Sequence, residues 1–202
     1  MRKTGYILED GSQEWPNAAY KFNSTFRDWI NTVEIEKSKR KESFYKYLKE
    51  CKGYFLNFNY TETLQKLYCI QDQDVLHIHG FRGDGESSII MGHNSGEIEY
   101  ESAMLGYDDN IRSLHAVLKK NLQLDTLKKF LNTCEDIINI ICIGFSFGDS
   151  DDEYIRALIN HPKTSHAAWL LNEYKKDEVA EQSRKLQRFG IDPSKITSEK
   201  IL

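Results

Sequence analysis

The fold is decided by one stretch of sequence, Ile137-Ile138-Asn139-Ile140-Ile141-Cys142-Ile143, which runs directly into Gly144-Phe145-Ser146-Phe147-Gly148-Asp149-Ser150-Asp151. Its first half is almost entirely apolar and β-branched, which is typical of a parallel strand covered on both faces. Its second half is rich in glycine and small polar residues, and a helical pattern follows at about 149–160. The stretch therefore predicts a buried strand, a polar turn and a helix in succession.

Further strands and helices are predicted on both sides of this stretch. Short apolar or aromatic runs predict strands at 54–59, 74–79 and 167–171, with another short strand at 89–91. Apolar residues at helical spacing predict one or two helices in 17–50, a helix at 61–68, one or two helices in 110–131 with a break near 123–125, and a helix at 175–189, while residues 94–107 are predicted as loop.

Strands and helices that alternate in this way indicate a parallel sheet. The predicted fold class is α/β, with a partial Rossmann-like parallel sheet flanked by helices and an N-terminal helical segment. We expect the helical segment at 1–53 and the α/β domain at 54–202 to form one structural unit. A chain of this length can bury roughly 70% of its unfolded surface, so a full core is feasible.

The charge pattern gives no sign of a nucleic-acid partner. The formal charge is −4 at pH 7, and no basic stripe with interleaved aromatic residues is present. The charged run at 37–42 is interpreted as a solvated helix face. No apolar run approaches the roughly 18 residues of a membrane span, and the N-terminus lacks the apolar core of a signal peptide. We therefore expect a cytoplasmic protein with no membrane partner.

The cysteines predict neither a metal site nor a disulfide framework. They are scattered along the chain without a CxxC pair, at Cys51, Cys69, Cys134 and Cys142. Reduced thiols in a reducing compartment are the simplest interpretation.

Polar side chains stand at the ends of three predicted strands. Asn57 and Asn59 close the first strand, His77 and His79 close the second, and the turn that begins at Gly144 follows the third. In α/β proteins the carboxyl ends of parallel strands are where small ligands bind. The three strand ends therefore predict one ligand site.

Three blocks of sequence carry a resemblance to a known family: Asn57-Phe58-Asn59-Tyr60-Thr61-Glu62-Thr63-Leu64, His77-Ile78-His79-Gly80 and Gly144-Phe145-Ser146-Phe147-Gly148-Asp149-Ser150-Asp151. In this order they resemble the signature blocks of AbiH-type bacteriophage abortive-infection proteins, which are similar in turn to the sirtuin-like NAD-binding superfamily. The resemblance spans about 54–160. It implies a sirtuin-like sheet and a phage-defence protein whose ligand is NAD or a related nucleotide.

The resemblance also implies roles for individual residues. Asn59 and His79 would bracket the nicotinamide ribose of NAD and act as the catalytic residues. Hydrolysis of the nicotinamide–ribose bond passes through an oxocarbenium-like sugar, so the site needs an oriented water or ribose hydroxyl and a base. Asn59 would orient, and His79 would accept the proton. The cofactor-binding residues that the resemblance implies are Tyr60, Thr61, Gly80, Gly144, Ser146 and Asp151, with ribose or adenine contacts from Ser146 and Asp151.

The first two blocks also have structural interpretations. Asn59 could cap the helix that starts near Thr61, and His79 could be a hydrogen-bonded core histidine. His77, two residues earlier on the same strand face, is predicted to be structural.

The third block has a structural interpretation as well. Asp149 or Ser150 could cap the helix that follows, with Glu153 as the capping-box partner of Ser150.

The sequence departs from the family pattern in three ways. No strand followed by a Gly-rich turn precedes Asn59, because Gly5, Gly11 and Gly53 are isolated. Thr61 stands where many sirtuin-like proteins carry Asp. A four-cysteine zinc module is missing, so protein deacylation is not expected. We therefore expect a fragment, a truncated gene product or half of a split protein.

Two other functions compete with NAD hydrolysis. The segment from Gly144 to Gly148 matches the G-x-S-x-G nucleophile elbow of α/β-hydrolases, with Ser146 as nucleophile. The histidines that follow, His161 and His166, come too soon for the usual order of triad residues, and no HGGG-like segment precedes them. The other alternative is a non-catalytic fragment that binds a nucleotide or a protein partner, including a second copy of the chain.

Overall fold

The computed structural model describes residues 11–83, 89–93 and 105–201. These residues divide between two compact units, the first drawn from Met1–Val33 and Gly80–Asn121 and the second from Glu34–His79 and Leu122–Leu202.

The described residues form helices and strands in alternation. In chain order they are α1 (Trp15–Asn31), α2 (Glu42–Glu50), β1 (Phe55–Asn57), α3 (Thr63–Tyr68), β2 (Val75–His77), α4 (Leu105–Leu118), α5 (Leu124–Thr133), β3 (Asn139–Cys142), α6 (Asp152–Asn160), β4 (Ala168–Asn172), α7 (Lys176–Arg188) and β5 (Ile196–Glu199). Short 3-10 turns stand at Ile35–Lys37, Asp72–Asp74, Asp149–Asp151 and Pro193–Lys195.

The first unit is built on α1 and α4, which pack side by side. Pro16 lies in the first turn of α1, where its missing N–H costs no hydrogen bond. Ala19 and Ile30 are the buried residues of that helix. The buried Ser12 hydroxyl accepts a hydrogen bond from the Asn110 side chain at 2.9 Å, which ties the start of the described chain to α4.

The second unit holds two parallel sheets. In one, β1 pairs with β2, and Asn57 lies opposite His77. In the other the strand order is β3-β4-β5, and Cys142 lies opposite Leu171. The prediction of parallel sheets flanked by helices is confirmed. Within the described residues the strands form two sheets rather than one.

The larger sheet packs its helices on one face. Trp169 and Leu171 of β4 form a core with Ile155 of α6 and Leu186 of α7. Right-handed crossovers between neighbouring parallel strands place both of these helices on the same side. The prediction that the strand in 137–143 is covered on both faces is wrong, because Ile141 on its other face is 36% exposed.

A second core supports the smaller sheet. Ile78, immediately after β2, packs with Leu127 and Leu131 of α5 and with Tyr154 of α6. Leu56 of β1 packs against the same group. The ends of β1 and β2 are therefore held beside the start of α6.

Several boundaries differ from the predicted ones. The two-helix interpretation of 17–50 is confirmed by α1 and α2, and the break in 110–131 falls earlier, between α4 and α5. Residues 89–91 form no strand; a single parallel bridge joins His93 to Lys119 instead. Of the predicted loop at 94–107, α4 begins at Leu105, and residues 94–104 lie outside the described part of the chain. Among the described helices, none combines the length and apolar character that a membrane crossing requires.

Candidate functional site

The end of β1 is organised by a buried amide. Asn57 is only 7% exposed, and its side-chain oxygen accepts hydrogen bonds from the Asn59 backbone N–H at 3.0 Å and from the Asn59 side-chain Nδ2 at 3.3 Å. Short polar side chains favour such a turn because they bond to the backbone two residues further on. Asn57 thus fixes both the bend after β1 and the orientation of Asn59.

His77 braces the same bend from the neighbouring strand. Its Nδ1 lies 3.1 Å from the Asn59 carbonyl oxygen, and its Nε2 lies 3.0 Å from Gln65 Nε2. Asn57 Nδ2 also lies 3.3 Å from His77 Nδ1, so the ring is contacted from β1, from the bend after it and from α3. Both ring nitrogens are engaged in holding the chain, which supports the structural role predicted for His77.

Asn59 does not cap a helix. The helix α3 begins at Thr63, its N-cap is Glu62, and no side chain caps it. The hydroxyl groups of Thr61 and Thr63 instead form a hydrogen bond, with their oxygens 2.9 Å apart. The capping interpretation of Asn59 is therefore wrong, and its exposed side chain is directed by Asn57.

His79 is buried in an aromatic surround. The residue is 5% exposed and lies in the turn after β2. Its ring centroid lies 5.3 Å from that of Phe58, 6.1 Å from that of Tyr60 and 5.9 Å from that of Tyr154. Gly80 follows with φ of +72°, a conformation in which glycine has no steric penalty.

One carboxylate approaches the His79 ring. Asp151 Oδ1 lies 3.2 Å from His79 Nε2, and their side chains are 13% and 6% exposed. Apart from this approach, Nε2 has no hydrogen-bond partner within the described residues, and the approach itself is not an aligned hydrogen bond. Two buried, chemically complementary groups thus face each other at the strand ends.

The charge of Asp151 also reaches two tyrosine hydroxyls. Burial, with a smaller contribution from Asp151, raises the pKa of Tyr60 above its ordinary value. Burial is also the main cause that raises the pKa of Tyr154, whose hydroxyl oxygen accepts a hydrogen bond from the Gln123 backbone N–H at 2.9 Å. Both hydroxyls therefore remain protonated donors at neutral pH.

The predicted capping box after β3 does not form. Asp151 occupies the N-cap position of α6, with no side-chain hydrogen bond to the helix. Glu153 forms an exposed ion pair with Arg156 at 3.6 Å instead. Asp151 is thus not engaged as a cap.

A buried lysine holds the polar turn after β3. Lys185 of α7 is 5% exposed, and its Nζ donates to the Phe147 carbonyl and to Asp149, both at 2.7 Å, and lies 2.6 Å from Asp152. We call these four residues the lysine clasp. Burial alone lowers the pKa of Lys185, but the two carboxylates outweigh it and raise the pKa above its ordinary value.

The turn itself has an unusual backbone. Gly144 has φ of +65° and Phe147 has φ of +56°, a rare conformation for an aromatic residue. Gln182 of α7 donates to the Phe145 carbonyl at 3.0 Å, so the turn is fixed at two points by one helix. Ser146, in the middle of this turn, is exposed.

An aromatic contact links this turn to the end of β1. The ring centroids of Phe145 and Phe58 are 4.3 Å apart, and Phe58 also contacts His79. The structure therefore brings His79, Tyr60 and Asp151 together. Asn59 lies at the neighbouring strand end.

The remaining predicted residues of the site lie around this group. Thr61 lies in the bend before α3, Gly80 follows His79, and Gly144 and Ser146 lie in the turn after β3. None of these four makes a described contact with the His79 ring.

Some residues that build the site were not predicted. Asn57 was predicted only as a polar residue at a strand end, and its role as the support of Asn59 was missed. Tyr154 was not singled out, although the apolar pattern of α6 is a signal that could have found it. Lys185 and Gln182 gave no signal, because they lie in a helix rich in charged residues. Among the described residues, no group of three or more His, Cys, Asp or Glu side chains is arranged to hold a metal ion.

The fold and the site define an α/β protein with a polar, partly aromatic site at the carboxyl ends of parallel strands. The family model described as bacteriophage abortive infection AbiH matches residues 4–173. The chain therefore belongs to the AbiH family, and the predicted resemblance to that family is confirmed. No curated protein and no solved structure matches the chain. Likeness to the wider sirtuin-like superfamily stays a prediction.

Proposed function

We propose that this AbiH-family protein acts in phage defence by binding NAD, or a related nucleotide, across the carboxyl ends of β1, β2 and β3 and hydrolysing the nicotinamide–ribose bond. The observation that carries the proposal is the buried His79, which is turned toward the Asp151 carboxylate between three aromatic rings. A buried imidazole beside a charge partner in a strand-end site is typical of acid–base catalysis.

The reaction needs little from the protein on the leaving-group side. The bond between ribose C1′ and the pyridinium nitrogen breaks with its electron pair going to that nitrogen, so nicotinamide leaves as a neutral molecule. Water then forms a bond to C1′ and loses a proton. His79 would take that proton and release it to solvent. The products from NAD are nicotinamide and ADP-ribose.

Asn59 is suited to position the attacking water or a ribose hydroxyl. Its Nδ2 already donates to Asn57, which directs the side-chain oxygen of Asn59 toward other groups. An amide oxygen accepts hydrogen bonds from hydroxyl groups and water. A fixed acceptor of this kind contributes to catalysis by holding the nucleophile in line with C1′.

The turn after β3 suits hydroxyl groups better than phosphates. Carboxylates of Asp149, Asp151 and Asp152 surround the start of α6, and like charges would repel a pyrophosphate there. Ser146 and the exposed Gly144 backbone can hydrogen-bond a ribose. We therefore assign this turn to the sugar part of the ligand.

The test is nicotinamide release from NAD by the purified chain, followed chromatographically. We expect His79→Ala to lower the rate by at least about 100-fold, which is the usual contribution of a general base, and Asn59→Ala to lower it as well. His166→Ala is the matched control, because His166 is exposed and precedes β4 at the opposite end of the strand. Circular dichroism checks that each variant folds. Equal rates for the wild type and His79→Ala would contradict the proposal.

A non-catalytic binding module is the second candidate function. It is favoured by the exposed aromatic residues on one face of α1, since Trp15 is 39%, Phe22 61% and Trp29 59% exposed. Contiguous apolar residues on a surface are typical of interaction sites. A folded chain that binds NAD in calorimetry, or binds a protein partner, without releasing nicotinamide would favour this candidate.

A further inference from the structure

The three carboxylates around the start of α6, those of Asp149, Asp151 and Asp152, make two different kinds of contact. Asp149 and Asp152 both contact Lys185 in the lysine clasp. Asp151, between them in sequence, instead approaches His79 Nε2. Because Lys185 holds Asp149 and Asp152, the backbone between them is fixed with Asp151 facing the imidazole of His79.

We propose that Asp151 is the positioning residue of His79, accepting the Nε2–H of the imidazole and leaving Nδ1 as the nitrogen that takes a proton from the substrate side. This inference rests on the proposed function and replaces the ribose or adenine contact that the resemblance implied for Asp151. Its chemistry follows from the two groups: an ionised carboxylate only accepts hydrogen bonds, and a neutral imidazole has one donor and one acceptor nitrogen.

The surroundings make this pairing effective. Phe58, Tyr60 and Tyr154 surround the imidazole, and both partners are largely buried, so water screens their interaction weakly. When Nδ1 takes a proton, the carboxylate stabilises the imidazolium that forms. In other Asp–His pairs the carboxylate holds the imidazole in the correct tautomer and orientation in the same way.

Other roles for Asp151 fit the geometry less well. It occupies the N-cap position of α6 without bonding to the helix, so capping does not explain its placement. Lys185 contacts the carboxylates on either side of it, so ion pairing within the clasp does not explain it either. The present approach of Asp151 to Nε2 is bent, and catalytic hydrogen bonds often tighten only when ligand is bound.

The first test is the position of the imidazole proton, which nitrogen-15 NMR of the whole chain reads without any substrate. In the wild type at neutral pH we expect the proton on His79 Nε2, hydrogen-bonded and protected from exchange with water. Asp151→Ala should abolish that protected signal, while Glu153→Gln, which removes an exposed carboxylate from the same helix start, should leave it unchanged. A wild-type ring protonated on Nδ1, or a signal that survives Asp151→Ala, would overturn the proposal.

The second test separates positioning from ligand contact by kinetics. A positioning role predicts that Asp151→Asn lowers kcat for nicotinamide release by at least tenfold, toward the roughly 10⁴-fold loss of triads without their aspartate, with KM little changed. A raised KM with unchanged kcat would show a ribose contact and overturn the proposal. If the wild type releases no nicotinamide, the proposed function fails, and the NMR result alone decides whether Asp151 and His79 are paired.

Discussion

The side-chain oxygen of Asn57 accepts hydrogen bonds from both the backbone and the side-chain amide of Asn59, at 3.0 and 3.3 Å. The buried residue is therefore the support, and the exposed one is the group available to a ligand. Comparing substitutions of the two residues therefore separates an effect on stability from an effect on activity. Loss of Asn57 should disturb both stability and activity, whereas loss of Asn59 should affect activity only.

Asn57→Ala is predicted to lower the free energy of unfolding by about 1–3 kcal/mol, since it removes a buried amide whose oxygen accepts the partly buried hydrogen bond of the Asn59 backbone N–H. Nicotinamide release should fall with it, because Asn59 loses its orientation. Asn59→Ala should leave the free energy of unfolding within about 0.5 kcal/mol of the wild type, because Asn59 is exposed. Urea unfolding measures both. Equal destabilisation by the two variants would contradict this division of roles.

The sequence predicted the strands, although it placed the ends of the first two at Asn59 and His79, two residues beyond Asn57 and His77, and it did not predict how the strand ends interact. Alternation and β-branched runs are local signals, so the strands ending at Asn57, His77 and Cys142 could be identified from short windows of sequence. The pairing of His79 with Asp151 depends on how the start of α6 packs against the end of β2. No local pattern encodes such a contact, since it arises only once the core around Tyr154 has formed.

The coverage of β3 was mispredicted for a related reason. A run of apolar residues predicts burial of a strand without saying from which side. In this chain α6 and α7 pack on the same face, and Ile141 is left partly exposed on the other. Which face of β3 is covered therefore depends on the side of the sheet on which the following helices pack, and the sequence of the strand does not contain that information.

The lysine clasp is predicted to contribute strongly to stability. Lys185→Met should lower the free energy of unfolding by about 3 kcal/mol, because removal of one partner leaves the Asp152 carboxylate and the Phe147 carbonyl without their cation. Urea unfolding checks this. Lys175→Met is the matched control, since Lys175 pairs with Glu178 on the exposed surface and should matter little. A similar loss in both variants would contradict a special role for the clasp.

The same clasp predicts a pH dependence with two limits. Lys185 lowers the pKa of Asp149 below its ordinary 3.8, so this contribution to stability is present above that value and is lost as pH falls through the folded pKa. The pKa of Lys185 is raised above 10.5, so its contribution is fully present below 10.5 and is lost as pH rises through the folded pKa. The stability difference between wild type and Lys185→Met should be constant between these limits and shrink outside them. A difference that changes near pH 7 would contradict the assignment.

Ser146 is predicted not to react as a hydrolase nucleophile. The positive φ angles of its turn fall at Gly144 and Phe147, whereas a nucleophile elbow strains the serine itself. His161 ends α6, and His166 precedes β4, so both histidines lie away from the turn that begins α6. A fluorophosphonate probe should leave the folded chain unlabelled while labelling a known serine hydrolase beside it. Labelling that is lost in Ser146→Ala would contradict the prediction.

The cysteines are predicted to fall into two classes of reactivity. Burial raises the pKa of the Cys142 thiol to about 12, so at pH 8 almost none of it is the nucleophilic thiolate. Burial also raises the pKa of Cys134, whose Sγ donates to the Phe130 carbonyl at 3.3 Å. Cys51 and Cys69 are exposed, and iodoacetamide should modify these two first.

Peptide mass spectrometry over a time course distinguishes the four sites. In urea all of them should react at similar rates, because the difference comes from burial in the folded state rather than from the sequence around each thiol. Rapid modification of Cys142 in the folded chain would mean that β3 opens readily at the edge of its sheet. That result would argue against the rigid support that the turn from Gly144 to Asp151 needs in order to hold Asp151 beside His79.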